Sequence, residues 1–202
     1  IDFLETAKEK DPDRSEVYYN LGQALTRNED YSRGKQVLGY FRLLQMSHEE
    51  ILEYKTAIVL NPRDAMAYYR LGVVYARMER FAAAIQAYSA VLQIHPNHTD
   101  ALNNVGNIYL RQRDVNRAVR AYTRVLKIDP NYARAHHNMG NAHVLLGEIE
   151  LAIRAFRFAV EVDPSYEAPK SMLKKLYDLG YENAKSNSII EVPEELDGAS
   201  DN

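Results

Sequence analysis

Apolar residues between positions 65 and 166 recur with the spacing of amphipathic helices, in three consecutive blocks of equal length. Each of the blocks 65–98, 99–132 and 133–166 contains two stretches in which apolar side chains return every three or four residues, with a polar turn between them. A proline follows each second stretch at a fixed interval of thirty-four residues: Pro62, Pro96, Pro130 and Pro164. This pattern predicts pairs of antiparallel helices repeated along the chain.

A glycine occupies the eighth position of each block, in the middle of the first predicted helix: Gly72, Gly106 and Gly140. A glycine there costs about 1 kcal/mol relative to alanine, so its recurrence predicts close approach by the second helix. The small side chains expected at this contact are Ala84, Ala118 and Ala152. The large apolar contacts expected one turn later are Tyr88, Tyr122 and Phe156.

This order of residues resembles the tetratricopeptide repeat (TPR) family. In block 65–98 the family pattern is carried by Tyr68, Leu71, Gly72, Tyr75, Ala84, Tyr88, Val91 and Pro96. The resemblance implies an all-α fold, a TPR right-handed superhelical solenoid of antiparallel helix pairs with a C-terminal capping helix. It also implies that the first helix of each pair lines a concave groove. The third block departs from the pattern, because His136 and His143 stand where the family prefers aromatic residues.

A further copy precedes these blocks, but its spacing is irregular. Residues 15–64 carry Tyr18 and Leu21 in matching places and then exceed one period by sixteen residues. Ser47 and Glu50 have the spacing of a capping box, which favours a new helix start near Ser47. The alternative is one uninterrupted helix of about thirty residues, since a near-heptad apolar stripe continues through the segment. The members of that stripe are Val37, Phe41, Leu44, Ile51 and Ile58.

The two ends of the sequence differ in character. Residues 1–14, with Leu4, Ala7 and Pro12 in phase, fit the second helix of a truncated preceding repeat, so we expect the parent protein to continue upstream. Residues 167–181 predict a capping helix. Residues 182–202 form an acidic tail with six carboxylate side chains and one lysine, a composition typical of disorder.

Composition narrows the classes of function. The chain has 202 residues, a formal net charge of −3 and no cysteine, which removes disulfides, thiolate metal sites and cysteine nucleophiles. Cysteine usage fits the cytoplasm, which we favour, and also the periplasm. No apolar run is long enough to span a membrane. The sequence contains no phosphate-binding loop, nucleophile elbow or zinc-protease motif, and the spacing of its six histidines does not indicate a metal site. We therefore predict a protein that is not an enzyme and has no cofactor.

The resemblance implies which side chains face the groove, namely those at the second, fifth, sixth, ninth, twelfth and thirteenth positions of each copy. Helical geometry agrees, because spacings of three and four place residues on one stripe. The candidates for peptide contact are Tyr19, Asn20, Arg27, Tyr69, Arg70, Arg77, Asn103, Asn104, Asn107, Arg111, Arg134, His137, Asn138 and Asn141. Other members of the stripe are Glu16, Gln23, Met66, Val73, Ala76, Asp100 and Leu145.

Asparagines and arginines suggest the chemistry of the groove. Asn20, Asn104 and Asn138 share the sixth position, and an amide can bind the C=O and N–H of a peptide together. This is similar to the asparagine ladder in the TPR superhelix of O-GlcNAc transferase. The arginines favour carboxylates, and residues 65–164 contain twelve basic and eight acidic residues. The alternative is that asparagine is merely common at these positions in the family and that the arginines are solvated.

These observations predict a non-catalytic scaffold that binds an extended, acidic peptide in the concave groove. Nucleic acid is disfavoured, because the positive charge of the repeats is modest and not clustered. One alternative is the protein-docking arm of a larger enzyme such as a glycosyltransferase, which the half-repeat at 1–14 favours. Another is self-assembly into homo-oligomers through exposed repeat ends. The tail segment 188–196 (SIIEVPEEL) joins apolar and acidic residues, so we also expect it to dock in the groove of its own or a neighbouring chain.

Overall fold

The computed structural model describes residues 1–10 and 14–181, leaving out the side chains of residues 8–10. The predictions for Pro12 and for the tail lie outside the described residues. Within them the chain forms α-helices and no strand, which confirms the all-α prediction. The helices are α1 (Asp2–Lys10), α2 (Ser15–Arg27), α3 (Tyr31–Leu60), α4 (Ala65–Arg77), α5 (Phe81–Ile94), α6 (Thr99–Arg111), α7 (Val115–Ile128), α8 (Ala133–Leu146), α9 (Ile149–Val162) and α10 (Glu167–Asp178).

Packing divides the described residues into two compact units, one up to Ala87 and one from Tyr88 onwards, with the division inside α5. In the second unit, α6 packs against α7, α7 against α8, α8 against α9, and α9 against α10. Tyr122 on α7 and Phe156 on α9 are fully buried at the centres of successive layers. Burying a side chain of this size stabilises the fold by about 2–3 kcal/mol, so these rings anchor their helix pairs.

The turns between helices are fixed by side chains that satisfy backbone groups. Asp114 accepts a hydrogen bond from the backbone N–H of Arg117 at 3.1 Å and thereby caps the start of α7. Asp129 and Asp163 accept from backbone N–H groups two residues ahead, at 3.0 and 2.9 Å. Because a proline follows each of these aspartates, the second helix of each pair ends there.

The predicted break near Ser47 is wrong, because α3 is one continuous helix of thirty residues. In the first copy, Met46 occupies the position at which the later copies have the closing proline. Neither a proline nor a preceding Asp or Asn is present there to end the helix, and α3 continues to Asn61 and Pro62. Ser47 is not a cap, since it lies fully buried inside the helix.

The long helix α3 packs along its length against two different helices. Both α2 and α4 contact it, and the buried core of this unit contains Tyr18 of α2, Leu44 and Ile51 of α3, and Leu71 of α4. The apolar stripe predicted as the alternative therefore binds both partners. Sixteen added residues correspond to about 24 Å of helix, so the insertion makes α3 long enough to pack against both α2 and α4.

The predicted close approach at the repeated glycines is present, but the atoms nearest to them belong to aromatic rings and not to the predicted alanines. A Cβ atom at Gly106 would lie 2.5 Å from the ring of Tyr122, and one at Gly140 would lie 2.5 Å from the ring of Phe156. Ala118 and Ala152 are fully buried, yet the aromatic rings are the nearest atoms. At Gly106 and Gly140, the missing side chain thus leaves room for a large ring against the first helix.

Candidate peptide-binding site

In the second unit, the predicted asparagines bind one another across adjacent repeats. Asn138 Nδ2 donates to Asn103 Oδ1 at 2.9 Å, which joins α8 to α6. Asn103 is only 4% exposed, so its side chain supports Asn138 instead of contacting a surface ligand. The prediction that Asn103 faces an open groove is corrected by this burial.

The other two asparagines of α6 bind tyrosine hydroxyls. The Tyr122 hydroxyl donates to Asn107 Oδ1 at 2.8 Å, and burial raises the pKa of that phenol. Asn104 Nδ2 donates to the Tyr88 hydroxyl at 3.3 Å. Both asparagines remain half-buried. Each amide therefore has a fixed orientation, and each has further hydrogen-bonding capacity.

In the next repeat the corresponding asparagine binds a different partner, because the ring that replaces Tyr122 is Phe156, which has no hydroxyl. There Asn141 Nδ2 donates to His137 Nε2 at 3.1 Å. The ring of His137 packs against Phe156 and against Tyr166, with centroids 5.5 and 5.2 Å apart. Burial lowers the pKa of His137, so the imidazole is neutral near pH 7 and acts as an acceptor.

The predicted arginines of the second unit are not equivalent. Arg134 Nη2 lies 2.7 Å from Asp100 Oδ1 and the guanidinium stacks over the ring of Tyr132 at 5.0 Å. Tyr132 also donates to Asp100. The charge of Arg134 is therefore largely compensated. Arg111 is the last residue of α6 and is exposed.

A cleft of about 520 Å³ lies where α6 and α8 end. We call it the α6–α8 cleft, and its lining residues are Asn107, Leu110, Arg111, Arg113, Asn138 and Leu145. It joins two amides, two guanidinium groups and two leucines. Such a surface can bind peptide backbone, carboxylates and apolar side chains at the same time.

Three of these lining residues, Leu110, Arg113 and Leu145, were absent from the candidate contacts. Leu110 and Leu145 occupy the twelfth and thirteenth positions of their copies, which the stripe rule already marks as inward. Arg113 lies in the turn after α6, where the backbone has a φ of 64°. Glu29, Glu79 and Gly147 occupy the same turn position in the other copies and also have positive φ.

In the first unit, the predicted residues have different surroundings from one another. Arg77 forms an ion pair with Glu50 and its Nη2 lies 3.3 Å from Ser47 Oγ, so the two residues predicted to cap a helix bind an arginine instead. Tyr19 is 46% exposed and packs against Phe41, with centroids 5.3 Å apart. Tyr69 is half-buried. The remaining candidates are exposed: Asn20, Arg27 and Arg70.

A cleft of about 450 Å³ in this unit lies elsewhere, between α1, α2 and α3. Its walls include Tyr18, Val37, Tyr40 and Arg33, and none of the predicted site residues. In residues 1–10 and 14–181, no group of three or more histidines and carboxylates is placed to hold a metal ion. No helix in that part of the chain is long and apolar enough to cross a membrane.

Comparisons with known proteins agree with this architecture. A family model described as "TPR repeat" matches residues 106–147, and one described as "Tetratricopeptide repeat" matches residues 65–98 and 133–166. The chain therefore contains TPR repeats, and the predicted solenoid of helix pairs is confirmed. No curated protein sequence matches the chain significantly.

Solved structures with the same fold include MamA and the first TPR domain of Spaghetti (RPAP3). A crystal structure of MamA is similar with a TM-score of 0.55 and 23% identity, over 80% of this chain and 85% of MamA. The RPAP3 domain, bound to the HSP90 peptide SRMEEVD, has a TM-score of 0.54 and 19% identity, over 58% of this chain and 93% of that domain. Together with the family matches, these structures show that the chain has the fold of TPR proteins.

Proposed function

We propose that this TPR scaffold binds an extended, acidic peptide segment in the α6–α8 cleft. The observation that carries the proposal is the convergence there of Arg111 and Arg113 with the amides of Asn107 and Asn138. Guanidinium groups bind carboxylates by paired, charge-assisted hydrogen bonds. The amides can bind backbone C=O and N–H groups, which makes recognition tolerant of sequence between the acidic residues.

The intramolecular hydrogen bonds of the asparagines support this role. Asn107 is held by Tyr122, and Asn138 is held by its bond to Asn103. An amide that is already oriented loses less conformational entropy when a peptide binds. The asparagines thus combine a structural role with a binding role, and the two roles use different atoms of the same side chain.

The apolar lining limits the class of peptide. Leu110 and Leu145 form the non-polar part of the cleft wall, so a purely acidic segment would leave them unpartnered. A segment that alternates carboxylates with aliphatic side chains satisfies both parts. The HSP90 peptide bound to the RPAP3 domain also contains adjacent glutamates, which shows that a TPR fold accommodates an acidic segment.

The test is fluorescence anisotropy with short, end-capped peptides that alternate Glu and Leu, compared with the same peptides carrying Gln in place of Glu. We expect the acidic set to bind the full chain more tightly. We expect Arg111→Gln to weaken that binding about tenfold, which corresponds to about 1.4 kcal/mol. Arg120→Gln is the matched control, because Arg120 is exposed on α7 and does not line the cleft. Equal affinity for the two peptide sets, or equal loss in both variants, contradicts the proposal.

A further inference from the structure

The chemistry of the α6–α8 cleft matches a segment of this chain itself. We propose that residues 189–196 of the acidic tail occupy the cleft of the same chain and compete with external peptides. This inference rests on the proposed function, since it uses the same cleft. It adds a specific occupant and a regulatory consequence, namely self-competition.

The surface around the cleft extends its apolar and basic character. Leu145 and Leu146, at the end of α8, are 43% and 45% exposed. Leu146 lines an adjoining cleft of about 480 Å³, and Arg113 belongs to the walls of both clefts. Asp114 also lines the adjoining cleft, but its carboxylate is compensated by Arg117 at 2.6 Å. The combined surface therefore offers leucines next to arginines.

The tail supplies the complementary side chains in a short stretch. Residues 189–196 read Ile-Ile-Glu-Val-Pro-Glu-Glu-Leu, which interleaves four aliphatic residues with three carboxylates. No lysine or arginine follows Lys185 in the sequence, so no basic residue within residues 189–196 would repel the arginines. This composition is the one that the lining of the cleft selects.

The repeat geometry places the end of α10 on the same side of the unit as the end of α8. Tyr132 precedes α8 and binds Asp100 on α6, while Tyr166, thirty-four residues later, precedes α10 and contacts His137 on α8. The start of α10 therefore lies beside α8 as the start of α8 lies beside α6. Since α9 packs against both α8 and α10, these first helices run in the same direction, and α10 ends at the edge where Leu145 lies.

The connection is long enough for docking in the same chain. Neighbouring packed helices lie about 8–10 Å apart. Residues 182–188 can span up to about 24 Å when extended, which covers the distance from the end of α10 across α8 to the cleft. A tail that occupies the cleft nine-tenths of the time would weaken external binding about tenfold.

Paramagnetic relaxation enhancement tests this docking without any added peptide. The chain has no cysteine, so Ser188→Cys gives a single attachment point for a nitroxide label. We expect the backbone amides of Asn107, Leu110, Arg111 and Leu145 to lose most of their signal intensity relative to a diamagnetic label. The loss should disappear in the labelled chain that also carries Glu191→Gln, Glu194→Gln and Glu195→Gln.

A mixed sample separates docking within one chain from docking between chains. Isotope-labelled protein without the nitroxide is combined with unlabelled protein that carries it, and signal loss at the cleft in this sample overturns docking within the chain. Unchanged cleft signals in the singly labelled protein also overturn it. If external acidic peptides bind while the tail does not dock, this inference fails and the proposed function stands. If neither binds, the proposed function fails as well.

Discussion

The first repeat, residues 15–64, and the repeats of the second unit begin alike but end differently. In both regions a glycine at the eighth position lies against the second helix: Gly22, Gly106 and Gly140. At the end of the second helix, the later copies have Pro130 or Pro164 after an aspartate, whereas the first copy has Met46. The result is a helix of fourteen residues in α7 and α9 and one of thirty residues in α3.

This difference shows that the period of the repeats is set by the stop signal more than by the apolar pattern. The apolar stripe of α3 continues past Ser47, and Ile51 is buried in the core of the first unit. A helix with a continuing apolar face and no stop signal extends until one appears. Asn103 and Asn138 meet because α6 and α8 stack regularly. This stacking depends on the second helix of each pair ending at its proline.

Met46→Pro is expected to have the largest effect on stability. A proline in the interior of α3 removes a backbone hydrogen bond and clashes with the preceding turn, so we expect a loss of about 3 kcal/mol or more in the free energy of unfolding. Urea denaturation followed by circular dichroism measures this loss. Met46→Ala is the control and should change little, because the Met46 side chain is 61% exposed. Similar stabilities for the two variants would mean that α3 is already broken near this position.

Gly140→Ala and Gly39→Ala compare two glycines inside helices, one in each region. The added methyl group at Gly140 would meet the buried Phe156 ring at 2.5 Å, so we expect a net loss of about 2 kcal/mol from overpacking. Nothing lies within 4 Å of the corresponding atom at Gly39, so Gly39→Ala should gain about 0.5–1 kcal/mol from helix propensity. Chemical denaturation of both variants gives the two signs. A gain at Gly140 would contradict the packing described here.

Asn138→Ala and Asn20→Ala test whether asparagines at the same repeat position have different roles. Loss of the Asn138 amide leaves the buried Asn103 Oδ1 without this donor, which should cost about 1 kcal/mol or somewhat more. Asn20 is exposed, and its removal should remain within about 0.5 kcal/mol. A double-mutant cycle with Asn103→Ala should show coupling between Asn103 and Asn138. Additive effects in that cycle would contradict the hydrogen bond between Asn138 and Asn103.

The buried histidines predict a pH dependence of stability that belongs to the second unit. Burial lowers the pKa of His136 and of His137 below the ordinary value of 6.5. The unfolded chain then binds more protons, so stability is full above about pH 6.5 and declines as pH falls through that value towards the lower folded pKa. Denaturation curves across this range should flatten in His136→Tyr. A pH dependence that stays the same in His136→Tyr would refute this assignment.

Most of the architecture could be predicted from sequence because its determinants are local. Glycines, prolines and apolar spacing within thirty-four residues predicted the helix pairs of the second unit. The break near Ser47 was predicted wrongly because a capping-box spacing is a weak signal, and burial of Ser47 against Arg77 depends on contacts about thirty residues away. The absence of a proline at Met46 was the stronger signal.

The candidate site was harder to predict from the sequence, because the orientation of each amide depends on residues in other helices. The sequence places Asn103, Asn107 and Asn138 on one stripe but does not reveal that the first is buried and the others are held in place. One contact could have been anticipated. Asp100 and Arg134 occupy the second position of adjacent copies, and opposite charges at one position of neighbouring repeats are natural partners.

The most direct test of the central claim is the response of asparagine side-chain amides to an acidic peptide. In ¹⁵N-edited spectra of the full chain, titration with an end-capped Glu-Leu peptide should shift the side-chain NH₂ signals of Asn107 and Asn138. The signal of exposed Asn20, in the first unit, should stay in place. This result would show that amides fixed by intramolecular bonds also bind the ligand. Shifts confined to Asn20 and its neighbours, with Asn107 and Asn138 unchanged, would contradict the account.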